Sequence, residues 1–153
     1  MLAVTLSESE TKRFMQKLFT EEMFDGFDAR SIMISSFARL EIDGTIDNQT
    51  DETKPTPSYN TWKALRPYAT QFVRGGGRPK SMKLVFSLSQ AEIAARFPEA
   101  SALFLNVLFD GKVTITTGAA QKSFSLDKSL DHAWSAHIRS FLTNNQITFE
   151  TEE

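Results

Sequence analysis

The sequence predicts an α+β domain: antiparallel sheet, with helices on one face. Three observations carry that reading. Runs of apolar period two, such as Met82, Leu84, Phe86 and Leu88, alternate with runs of helical spacing, such as Trp62, Leu65, Ala69 and Phe72. Ser-x-x-Glu caps open two of the helical runs, at Ser7–Glu10 and Ser89–Glu92. Asp-Gly pairs at 43–44 and 110–111 signal tight hairpin turns. Hairpins make antiparallel strands, and the apolar helix stripes must be buried against them.

The elements follow in order. Leu6 ends a first strand, and Ser7 caps a helix whose stripe is Phe14, Met15 and Leu18. Asp25-Gly26 breaks that helix. Residues 30–42 are rich in Ile, Met and Phe, and Asp43-Gly44 is expected to turn them into a hairpin, with Leu40, Ile42 and Ile46 flanking the turn. The polar stretch 47–58, with Pro55 and Pro57, reads as a mobile loop. Trp62 opens two short helical pieces, the second beginning at Pro67, where a missing N–H costs nothing. Gly75-Gly76-Gly77 stops them. A strand runs over 82–88, a short helix from Ser89 to Phe97, and a strand from Ala102 to Phe109. Asp110-Gly111 turns it back into Lys112–Thr117, and the return strand can continue through Lys122–Leu126. Asp127 is expected to cap a last helix with Leu130, Trp134, Ile138, Phe141 and Leu142 on its apolar face. Ile147–Glu150 closes the sheet.

The order can be read as two related β-α-β-β-α halves, each with a capped helix, an Asp-Gly turn and a Trp-bearing helix. It can equally arise by chance, since such caps and turns are common. The period is too long for a solenoid. At 153 residues the chain predicts one domain with a substantial core.

Composition narrows function by exclusion. There is no cysteine, so thiolate chemistry and disulfides are absent; this fits a reducing cytoplasm. The N-terminal residues lack the basic flank of a signal peptide. The longest apolar run, Ala102–Phe109, is broken by Asn106 and falls short of the roughly 20 residues a membrane span needs. The thirteen phenylalanines are spread along the chain, as an aromatic core requires.

Charge is the most distinctive signal. Residues 53–91 hold no Asp or Glu but seven bases: Lys54, Lys63, Arg66, Arg74, Arg78, Lys80 and Lys83. The flanks carry eleven acids against five bases before it, and eight against five after it. Such a segregated stretch points to an anionic partner. Arg66, Arg74, Arg78 and Lys80 are the candidate anion contacts. Trp62 and Tyr68 stand among them and could stack bases. The alternative places Trp62 in the core with the basic side chains lying over it.

Catalytic motifs are missing. Gly75–Ser81 resembles a phosphate loop only loosely, because it precedes a strand and Pro79 removes an N–H donor. What survives is a turn that presents Arg74, Arg78 and Lys80. His132 and His137 are five apart, about 140° round a helix, and cannot form an i, i+4 metal pair. Asp127 and Asp131 suit the positive end of a helix dipole without catalysis. No Gly-x-Ser-x-Gly elbow is present. No cofactor and no metal are expected.

Phe14–Phe19, Ile42-Asp43-Gly44, Trp62 with Arg66-Pro67, and Lys83–Ser89 resemble a small bacterial family of unknown function. That resemblance implies a single-domain soluble protein and assigns no catalytic residue. The element order also resembles a sliding-clamp domain, an analogy of fold alone. The expected function is a non-enzymatic binding or accessory domain that meets an acidic protein or nucleic acid through residues 62–83. The alternative is a small enzyme acting on a phosphate- or carboxylate-bearing substrate.

Overall fold

The computed structural model describes residues 1–46 and 58–151. Its elements are β1 (Ala3–Thr5), α1 (Glu8–Thr20), β2 (Asp28–Ser35), β3 (Arg39–Asp43), α2 (Trp62–Gly76) and β4 (Ser81–Ser87). Then come α3 (Gln90–Arg96), β5 (Ala100–Phe109), β6 (Val113–Gln121), α4 (Ser129–Asn144) and β7 (Glu150–Thr151). The strands form one antiparallel sheet in the order β3-β2-β4-β5-β6-β1-β7.

Register explains why the helices share one face. Ile42, Ile32, Leu84, Val107, Ile115 and Val4 are cross-strand neighbours in one continuous row. Adjacent strand residues point to opposite faces, so the next row is Glu41, Met33, Lys83, Leu108, Thr114 and Thr5. The first row is largely buried, and the second is exposed or half-buried. Phe14 and Leu18 of α1, Trp62 and Ala69 of α2, Ile93 of α3, and Trp134, Ile138 and Leu142 of α4 join the first row in a single core. The result is two layers, sheet and helices, with the second sheet face left uncovered by any helix among the described residues.

The serine half of each expected cap forms, while Glu10 accepts from Arg13 and from Thr148 N–H, and Glu92 pairs with Arg96. Ser7 Oγ accepts from Glu10 N at 3.2 Å, and Ser89 Oγ from Glu92 N at 3.3 Å. Asp110-Gly111 joins β5 to β6, with Gly111 at φ 112°.

Several details differ. The β2–β3 turn falls at Ser36–Ala38, where Ser36 N donates to Ala38 O at 2.9 Å, and not at Asp43-Gly44. Gly44 serves close approach instead: a Cβ there would lie 1.7 Å from Ala29 O. Its N–H donates to Arg30 O, and its carbonyl accepts from Asn60 N. The expected break at Pro67 is also absent, and α2 runs through it. Pro67 sacrifices one hydrogen bond early in the helix, while Trp62 and Ala69 hold both sides to the core. The N-cap of α4 is Lys128, not Asp127; Asp127 accepts from Ser129 N–H and Oγ just outside the helix. The closing strand starts later than expected, at Glu150.

The two-halves reading fails on strand order. β4, β5 and β6 lie side by side, whereas β1 is not beside β2 but pairs with β6 and β7. A duplicated unit would keep its strand order. The loop expected over 47–58 lies, apart from Ser58, outside the described residues.

Candidate functional site

The basic segment does not stay together in space. Arg66 faces inward and is committed: its Nε and Nη2 donate to the two carboxylate oxygens of Asp25, each at 3.1 Å. Those side chains retain only 22% and 12% exposure, so this is a half-buried, bidentate structural pair. Lys83 emerges on the open sheet face, beside Met33 and Leu108. Lys80 is exposed, and its backbone N–H is held by Ser35 O at 2.8 Å. Of the four candidate contacts, only Arg74 and Arg78 are brought together at a concave surface.

The proposed stacking pair also separates. Trp62 is 0% exposed, with its Nε1 donating to Leu18 O at 3.0 Å. It is a core residue and offers no face to a base. Tyr68 is 65% exposed but does not line that surface.

The concave surface is a groove between α1 and α2, with a volume of about 420 Å³. Met15 and Phe19 of α1, Val73 of α2, Pro79 and Phe109 give it an apolar floor. Lys12, Arg74 and Arg78 line it with positive charge. All three are exposed, and none forms an ion pair among the described residues. The polar remainder is Thr11, Gln16, Thr20 and Thr70, with no Asp, Glu or His among the described residues. Thr70 Oγ1 donates to Phe19 O at 2.9 Å and ties the two helices together.

The sequence builds this groove from a helix with two uses. Phe14 and Leu18 of α1 turn into the core, whereas Lys12, Met15 and Phe19 recur at helical spacing along the groove side. Lys12 was invisible to a charge count because it sits in the acidic N-terminal segment. The spacing of Lys12, Met15 and Phe19 was the available signal for a second, amphipathic face.

Other ionisable groups lie elsewhere. Burial raises the carboxyl pKa of Asp28 above its ordinary value, against the opposing charge of Arg30, but Asp28 is outside the groove. The Arg30 guanidinium is sandwiched on the open face between Tyr59 and Phe104, at 4.5 and 4.7 Å from the ring centres. Its Nε donates to Ser87 Oγ at 2.9 Å. The exposed Asp127 carboxyl is held below its ordinary range, first by the Ser129 hydroxyl and then by the Ser129 N–H. His137 is half-buried, stacked on Trp134 at 5.4 Å. Among the described residues no group of three His, Cys, Asp or Glu could hold a metal ion, and no helix is long and apolar enough to cross a membrane.

No curated protein and no solved structure matches the chain. A family model does match, over residues 17–150, which takes in every element from the last turn of α1 to the start of β7. By that match the chain belongs to a family of unknown function, DUF5721.

Proposed function

We propose that the protein is a non-enzymatic binding domain that meets an anionic partner at the α1–α2 groove. One observation carries the reading: Lys12, Arg74 and Arg78 line one concavity to which the described residues contribute no acid. Unopposed cations beside a low-dielectric wall focus a positive potential and attract anions. Among the described residues the lining also holds no histidine or carboxylate to act as a general base, which supports binding over catalysis.

Heparin affinity chromatography tests this directly. The parent protein is retained at low salt and elutes as salt rises. A Lys12→Ala, Arg74→Ala, Arg78→Ala variant elutes near the void. A Lys63→Ala, Lys83→Ala control, lacking two bases outside the groove, stays close to the parent. With duplex DNA as ligand, three phosphate contacts give a slope of log K against log salt of about −2.7. Equal retention of parent and triple variant would remove the groove from consideration. Melting temperatures of all three proteins should agree closely, because exposed charges contribute little to stability.

A further inference from the structure

We infer that the groove's ligand is a small amphiphilic anion, a single acidic head on an apolar chain such as a free long-chain carboxylate. This rests on the reading above and specifies its ligand. Two features of the groove point past a nucleic acid. Its floor is aliphatic and aromatic side chain, suited to an apolar body and not to a ribose-phosphate backbone. The bases that would extend a phosphate track are diverted, Arg66 to Asp25 and Lys83 to the open sheet face. Among the described residues no exposed aromatic lines the groove for stacking: Trp62 is sealed in the core, and Phe19 and Phe109 are buried.

The tie from Thr70 to Phe19 O marks one position along the groove. From there Lys12 lies seven residues back along α1, about 10 Å at 1.5 Å per residue. Arg74 lies one turn further along α2, and Arg78 follows beyond the helix end. Lys12 of α1, Arg74 of α2 and Arg78 beyond it thus line the same groove as the apolar floor. Two guanidinium groups and an ammonium suit one carboxylate, with charge-assisted hydrogen bonds stronger than neutral ones. The volume, about 420 Å³, falls in the range of small-ligand sites, roughly 300–1,000 Å³.

The test is a calorimetric titration of the full chain with five probes, each at a concentration where it is dissolved as single molecules: dodecanoate, dodecanol, dodecyltrimethylammonium, acetate and an acidic amphipathic peptide. Dodecanoate should bind at least about tenfold more tightly than dodecanol, the difference expected of one charge-assisted contact. Acetate and the ammonium probe should bind too weakly to measure. Lys12→Glu with Arg78→Glu, both exposed and remote from the core, should abolish the preference for dodecanoate and leave dodecanol binding unchanged. Val73→Glu, which puts an acid in the floor, should lose both; its circular dichroism shows whether the fold survives.

Equal affinity for dodecanoate and dodecanol would overturn the inference, since any sticky surface would do the same. So would tighter binding of an acidic amphipathic peptide than of dodecanoate, which would make the occupant a protein. Heparin retention without any dodecanoate binding would overturn the amphiphile and leave the anion-binding reading standing. Loss of both would remove the two together.

Discussion

α2 and α4 each lay one tryptophan fully into the core, Trp62 and Trp134. Each indole N–H finds a backbone carbonyl, Leu18 O at 3.0 Å and Phe104 O at 2.9 Å. Each ring meets a phenylalanine edge-on, Phe86 at 5.4 Å and Phe97 at 5.7 Å. The helices differ on the side turned from the sheet. α2 exposes Lys63 and Arg74 and carries no acid, and it ends beside the groove. α4 carries Asp131, His137 and Arg139, and its C-terminal end is closed. There Lys17 Nζ donates to Asn145 O at 3.0 Å, and Asn145 N returns to Phe141 O. Burial forces the inner faces to agree. The outer faces are free of that constraint, so differences in binding are to be sought there.

Substitutions can break this parallel. The largest expected effect is on the inner faces. Trp62→Ala and Trp134→Ala should each cost about 3–5 kcal/mol, from lost packing and an orphaned carbonyl contact. Urea denaturation of the two variants measures it. Losses that differ by severalfold would show that the two tryptophans are not equivalent anchors.

A smaller effect should separate two arginines of the same helix. Arg66→Ala breaks the bidentate pair with Asp25 and should cost about 1–2 kcal/mol, given how little of the pair is exposed. Arg74→Ala should change stability by less than about 0.5 kcal/mol. Similar losses at both sites would mean Arg74 holds the fold together.

The smallest effect is a pH dependence confined to α4. Burial, then the charge of Arg96, holds the His137 pKa below its ordinary 6.5, with Glu92 opposing. The unfolded chain therefore takes up the proton first as pH falls. Stability is full above the unfolded-state value, declines as pH drops through it, and levels off once folded His137 is protonated. Denaturation between about pH 7 and pH 5 spans the window in which histidine titrates. His137→Phe should flatten that slope. An unchanged slope would assign it to another group.

The order of elements was legible in the sequence because capping and periodicity are local. Ser7 and Ser89 cap helices by contacts three residues away, and Met82, Leu84 and Phe86 reach the core by simple alternation. Asp43-Gly44 misled because glycine answers two different needs. At Gly111 it permits a positive φ, a local matter, whereas at Gly44 it clears the Ala29 carbonyl, which only the assembled sheet brings near. The candidate site was half legible. A run of bases free of acids located Arg74 and Arg78. It could not show that Arg66 meets Asp25 or that Lys12 joins from α1, because both depend on how two helices pack.

The place of β1 in the sheet bears on how the protein is made. Val4 sits between Ile115 and Thr151, and Leu6 N donates to Val113 O. Those partners lie far along the chain, and a strand without neighbours is scarcely stable in water. During synthesis β1 leaves the ribosome with nothing to pair with, while β2, β3, β4 and β5 pair with one another and can assemble before β6 is made. The last seam to form joins the earliest strand to the latest. Closing it requires a long chain loop, so this step should set the pace of folding, as it does wherever contacts are distant in sequence. Until then the flank of β6 is an open edge, and in this interval a nascent chain is most exposed to pairing with a neighbour.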